Sequence, residues 1–129
     1  MIKRNWNSTP LEDEEQVMLF EWAALRAGKW PELKLMYHVP NEGKRGIATA
    51  MLQKRMGLKS GVPDVCLPVA RGGYHGLYIE MKRMHGGRLT PAQRQWLEEL
   101  TQQGYRAVRC DGWAEAAREI ENYLKGAVI

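Results

Sequence analysis

Along Leu77–Lys82 the chain alternates: Leu77, Ile79 and Met81 fall on one side of an extended backbone, Tyr78, Glu80 and Lys82 on the other. The spacing predicts a strand with one face in a core. Upstream, Thr9-Pro10-Leu11-Glu12 offers a capping Thr, a Pro at the first helical position and a Glu where a capping box wants it. Leu11, Met18, Trp22 and Leu25 then recur at three- and four-residue steps, which predicts a helix closed near Gly28 with that stripe facing the core. A strand is expected over Lys34–Val39, a polar loop with two glycines over 40–46, and a helix over Ile47–Met56 ended by Gly57. The turn Lys59–Pro63 leads into an expected strand Asp64–Val69, and Arg71–Gly76 reads as a hairpin-type connection into Leu77–Lys82. Thr90-Pro91-Ala92-Gln93 is a second capping box, opening a helix to about Gln103 that Gly104 closes. Tyr105–Cys110 and Trp113–Leu124 complete the pattern as strand and helix.

The order α-β-α-β-β-α-β-α predicts an α/β fold with a mixed central sheet flanked by helices. At 129 residues, without repeat, low-complexity tract or linker, one domain spanning 1–129 is expected. No apolar run approaches a membrane span and the first residues lack a signal-peptide core, so the expected setting is cytoplasmic. Cys66 and Cys110 lie in apolar strand-like runs and are expected as reduced, packed thiols.

Charge changes the picture more than composition does. The net charge is +4, yet between Gly43 and Leu97 ten basic residues face only two acids, Asp64 and Glu80, a local net of +8. The remainder is acidic, with nine basic and thirteen acidic residues. A basic middle of this kind suits a polyanion, although such segments are often only solvated surface. The two surviving acids are the sharper signal. Glu80 and Lys82 share a strand face, and a hairpin pairing would bring Asp64 beside Glu80. Two carboxylates from neighbouring strands suit Mg²⁺, which takes oxygen ligands and keeps several waters. Such an ion would stabilise charge on a scissile phosphate and acidify a water, with Lys82 orienting that water, acting on its proton or stabilising developing charge. The tripeptide Glu-x-Lys is weak by itself, since it occurs three times here, at Glu32, Glu42 and Glu80. A cross-strand salt bridge at a sheet surface is the competing explanation.

Taken in order, the blocks Gly61-Val62-Pro63-Asp64 and Glu80-Met81-Lys82 resemble the PD-(D/E)xK superfamily of nucleases. More narrowly the chain resembles the VRR-NUC family, its short stand-alone phage and bacterial members in particular. The likeness runs through Glu15-Gln16, His38–Arg45, Met56–Asp64, His75–Lys82, Leu89–Gln93, Trp96-Leu97 and Gly104-Tyr105. It implies a restriction-endonuclease-like fold and Mg²⁺- or Mn²⁺-dependent hydrolysis of DNA phosphodiesters. Asp64, Glu80 and the Met81 carbonyl would then be metal ligands and Lys82 the catalytic lysine.

The resemblance also implies a first-helix Glu in the site. Glu15 is preferred over Glu12 and Glu14, because it lies on the expected core-facing stripe whereas Glu12 has a capping role to explain it. Gln93 is a site candidate or simply the capping-box residue. His38 and Asn41 are candidates for contact with DNA, and Lys44, Arg45, Lys54 and Lys59 for phosphate contacts. Stand-alone members resemble Holliday-junction resolvases acting as symmetric homodimers, so branched DNA and a second copy are the expected partners. Two alternatives stay open: a non-catalytic structure-specific DNA-binding module, and a monomeric flap- or end-processing nuclease. Zincin, serine-hydrolase and phosphate-loop motifs are absent.

Overall fold

The computed structural model describes residues 11–40 and 46–128. Thr9 and Pro10, and the candidate contacts Asn41, Lys44 and Arg45, lie outside the described residues. The elements are α1 (Glu12–Arg26), a 3₁₀ turn (Pro31–Leu35), β1 (Tyr37–His38), α2 (Ile47–Arg55), β2 (Val65–Leu67), β3 (Leu77–Lys82), α3 (Pro91–Gln102), β4 (Arg106–Asp111) and α4 (Trp113–Leu124). The strands form one mixed sheet in the order β1-β2-β3-β4, flanked by helices. β1–β2 and β2–β3 are antiparallel, and β3–β4 is parallel. The 68–76 link suffices for the antiparallel pair, whereas the parallel pair needs α3 as its crossover. Register decides the chemistry: Val65 faces Ile79 and Leu67 faces Leu77. One step further along the same ladder sets Asp64 opposite Glu80.

Leu77, Ile79 and Met81 are each 1% exposed and join Val65, Leu67, Leu19, Ala116 and Ile120 in the core. The opposite side of β3 is not open as an amphipathic strand would suggest, because Glu80 and Lys82 are buried too. Cys66 and Cys110 are free and buried. No helix among the described residues is long and apolar enough to cross a membrane.

Three expectations shift. The strand expected from Lys34 is preceded by the 3₁₀ turn, which Pro31 opens and buried Leu33 anchors, so β1 keeps only Tyr37 and His38. β2 is short because Pro68 has no N–H to give the ladder. The core face of α1 is Glu15–Leu19–Ala23, while Leu11 and Leu25 are exposed. The buried face is rotated because α1 packs against α4 as well as the sheet. On the α4 side small Ala116 and Ala117 allow close approach.

Candidate active site

The turn ahead of β2 is shaped to deliver Asp64. Gly61 has φ +88°, and a Cβ there would stand 2.7 Å from the Ala92 carbonyl carbon, so only glycine lets α3 sit this close. Trp96 Nε1 donates to the Ser60 carbonyl at 3.0 Å and ties the same helix to the turn. From there the Asp64 backbone joins the sheet edge: its carbonyl accepts from Val39 N at 2.7 Å. Its side chain accepts from the Met81 N–H at 2.9 Å through Oδ2. Met81 N thus faces β2, whereas the Lys82 carbonyl faces away, accepting from Gly112 N at 2.8 Å. Carbonyls alternate along a strand, so the Met81 carbonyl points to the Asp64 side.

Glu80 lies beside Asp64 and is 2% exposed. Burial pushes its carboxyl up from 4.5 to about 9; hydrogen bonding to Asp64 and that residue's charge add to the rise, Lys82 opposes it, and Glu12 adds a little. Its Oε1 is buried with no hydrogen-bond partner. Lys82 Nζ stands 3.8 Å from Glu80 Oε2 and 3.8 Å from Glu12 Oε1. The cluster opens into a cleft of about 340 Å³ lined by Glu12, Asp13, Gln16, Val17, His38, Asp64 and Met81.

Among the described residues no group of three or more His, Cys, Asp or Glu is assembled for a metal. What is present is an orphaned buried carboxylate oxygen, a second carboxylate beside it and a carbonyl facing the same edge. That donor set fits a hard cation bound through one or two carboxylates and otherwise by water and phosphate oxygen, as Mg²⁺ is. It offers nothing soft enough to favour zinc.

The other sequence candidates separate. Glu15, preferred for the site, is instead turned to α4: its Oε2 accepts from Trp113 N at 2.8 Å, capping a helix whose own N-cap is Gly112. The first-helix carboxylate brought to Lys82 is Glu12. Gln93 holds its capping box with Thr90, with Oε1 accepting from Thr90 N at 2.9 Å. His38 is exposed on edge strand β1, with Nδ1 3.1 Å from the Asp64 carbonyl, and lines the cleft. Lys54 and Lys59 are exposed on and after α2.

Sequence reasoning missed a small scaffold around the lysine. Gly87 lies against the Lys82 stem, and Arg109 holds that loop by donating from Nη2 to the Gly87 carbonyl at 2.7 Å. Asp111 orients Arg109 in turn, accepting from its Nε at 2.8 Å. The Gly86-Gly87 pair four residues past the lysine was the available signal.

The family model for the VRR-NUC domain matches residues 5–114. A solved structure described as a VRR_NUC domain protein superposes with a TM-score of 0.82 at 35% sequence identity, covering 95% of each chain. No curated protein sequence matches the chain.

Proposed function

The chain belongs to the VRR-NUC domain family, and from that membership we propose a divalent-metal-dependent DNA endonuclease that hydrolyses phosphodiesters at Asp64, Glu80 and Lys82. The family itself makes this a nuclease-like domain with DNA as its substrate. The observation that carries the finer reading is buried Glu80 beside half-buried Asp64, set opposite in the ladder with one Glu80 oxygen unsatisfied and an ammonium 3.8 Å away. A plain surface salt bridge would be exposed and would have no orphaned acceptor. Plain DNA binding gains nothing from two carboxylates in a basic stretch.

Each residue then has a task. The Met81 N–H fixes the Asp64 carboxylate, so that its free oxygen and those of Glu80 converge. Mg²⁺ or Mn²⁺ held by these carboxylates and the Met81 carbonyl would neutralise charge at the phosphate and acidify a water. Lys82, held between Glu80 and Glu12 and kept out of bulk solvent, puts its ammonium where negative charge builds on the phosphate, or shuttles a proton to or from the attacking water. Glu12 takes the place of the first-helix carboxylate. Lys54 and Lys59 hold the DNA backbone. We extend the reading to branched DNA cut by a symmetric homodimer, which would present one site to each of two strands.

A digestion panel with a four-way junction, a flap and a linear duplex tests this, run with Mg²⁺, with Mn²⁺ and with excess EDTA. Cleavage is expected only with the cation and best on the junction. Asp64→Ala, Glu80→Ala and Lys82→Ala should be inactive with unchanged circular dichroism. Cutting in EDTA, or full activity in any of the three variants, overturns the mechanism. Binding without cutting under every cation returns the protein to the class of DNA-binding modules. Cutting of flaps alone by a monomer removes the junction reading and leaves the nuclease.

A further inference from the structure

α2 is built inside out. Its half-buried positions are Ala50 and Gln53, and the Gln53 Oε1 is out of reach of solvent. Its apolar residues face water instead: Ile47 is 81% exposed, Met51 60% and Leu52 52%, with Met56 just beyond at 77%. At about 100° per residue these four spread over half of the helix circumference, and Met51 and Leu52 flank Arg55 near its middle. None of its nine residues is buried and none is acidic. A helix that keeps its apolar side in water lacks its partner.

A complementary surface exists on the same molecule. Val17, Phe20 and Ala24 of α1 form an apolar groove of about 470 Å³, bordered by Gln16, Glu21 and His38. Among the described residues, none of α2 lines it. Val17 is 53% exposed. The border carries the acid Glu21, opposite in sign to the cation within the apolar side of α2. Glu21 on its border repels phosphate, so the groove suits an apolar protein surface rather than a nucleic acid.

We propose that α2 of one copy seats Met51 and Leu52 in the α1 groove of a second copy, with Arg55, which lies between them on the helix, beside Glu21 of the other. In the proposed dimer the exchange is reciprocal about a two-fold axis, so each copy gives one helix and receives one. This names the interface of the homodimer proposed above and rests on that reading. It also has a consequence for the cleft. Gln16, Val17 and His38 border both the groove and the cleft that holds Asp64, so an α2 seated in the groove forms a wall beside the cluster.

Sedimentation of the full chain over a concentration series tests it, with Met51→Asp, Val17→Asp, Glu21→Arg, Arg55→Glu and the double variant Glu21→Arg/Arg55→Glu. These positions are exposed, so circular dichroism should stay as in the parent. The parent should be a dimer, and either aspartate variant should raise its dissociation constant about tenfold or more. Each single charge reversal should weaken it, and the double variant should regain part of the loss. A dimeric parent that Met51→Asp leaves unchanged, or a double variant no better than the singles, overturns this interface while leaving a homodimer standing. A parent that stays monomeric at every concentration overturns both, and neither outcome touches cleavage chemistry.

Discussion

Gly87 lies so close over Lys82 that a Cβ at this position would stand 2.9 Å from the lysine's own Cβ and 3.3 Å from its Cδ. The first of these atoms is fixed to strand β3 and cannot swing aside. Any side chain here must displace the loop or tilt the lysine stem that carries the ammonium to Glu80. Arg109, donating to the Gly87 carbonyl, opposes loop displacement. Gly87→Ala should therefore lower the cleavage rate about tenfold or more, because sub-ångström errors in a reacting group's position are costly. DNA affinity measured with Ca²⁺ should remain near the parent's. Unchanged single-turnover rates in this variant would show that the lysine tolerates the shift.

Glu80 makes stability depend on pH in a definite direction. Its carboxyl titrates at about 9 in the folded protein and near 4.5 when solvated. Between those values the folded state holds one more proton than the unfolded state. The stabilisation is thus complete below 4.5 and is lost as pH climbs towards 9. Without divalent ions, the melting temperature should fall from pH 5.5 to pH 8.5, and Glu80→Gln should flatten that slope and melt higher than the parent at pH 8.5. Mg²⁺ should raise the parent's melting temperature more at pH 8.5 than at pH 5.5, because binding competes with the proton. A parent whose stability rises over this range without the cation contradicts the buried, protonated carboxyl.

The parts of this site readable from sequence are the local ones. The alternation from Leu77 to Lys82 and the Pro63-Asp64 turn each lie within a few residues, and the glycines of 71–76 mark a hairpin-type connection between the two strands. Together they placed Asp64 against Glu80. The Thr90–Gln93 capping box was equally local, and the structure holds Gln93 in it. What escaped depends on distant chain. Whether Glu15 or Glu12 faces the site is decided by Trp113, 98 residues later, whose N–H claims Glu15. The stripe from Leu11 to Leu25 was read as a single helix on a sheet, but α4 rotates the buried face towards Leu19 and Ala23. The outward apolar side of α2 breaks the rule that apolar stripes face inward, and no spacing in Ile47–Arg55 announces it.

The two first-helix carboxylates can be told apart by which property each variant loses. Glu15 is 1% exposed and serves the start of α4, so Glu15→Ala should cost about 1–3 kcal/mol of stability by stranding a buried N–H. Glu15→Gln keeps an acceptor for Trp113 N and should keep most stability and cleavage. Glu12→Gln should melt like the parent yet cut more slowly, because Lys82 loses the second carboxylate that holds its ammonium. Chemical denaturation beside single-turnover cleavage separates these effects. If Glu15→Gln folds normally and is inactive, Glu15 belongs to the site after all, and the capping role is secondary.

Lys54 and Lys59 carry the last prediction, because their surroundings let affinity be read apart from chemistry. Both are exposed, on and just after α2, and neither contacts the Asp64–Glu80 pair. If each neutralises one backbone phosphate, removing both should release two fewer counterions per bound protomer. The slope of log affinity against log salt should then become shallower by about 1.8, at roughly 0.9 per phosphate on duplex DNA. Loss should be uniform across junction, flap and linear duplex, since phosphate contacts carry no sequence or branch information. Cleavage at saturating protein should stay at the parent's rate. An unchanged slope would move the footprint elsewhere in the basic stretch, with Arg83 and Arg88 beside the cluster as the next pair to substitute. A slope change accompanied by loss of the dimer would mean that the α2 surface serves the second copy first, and that the salt dependence reports assembly rather than phosphate contact.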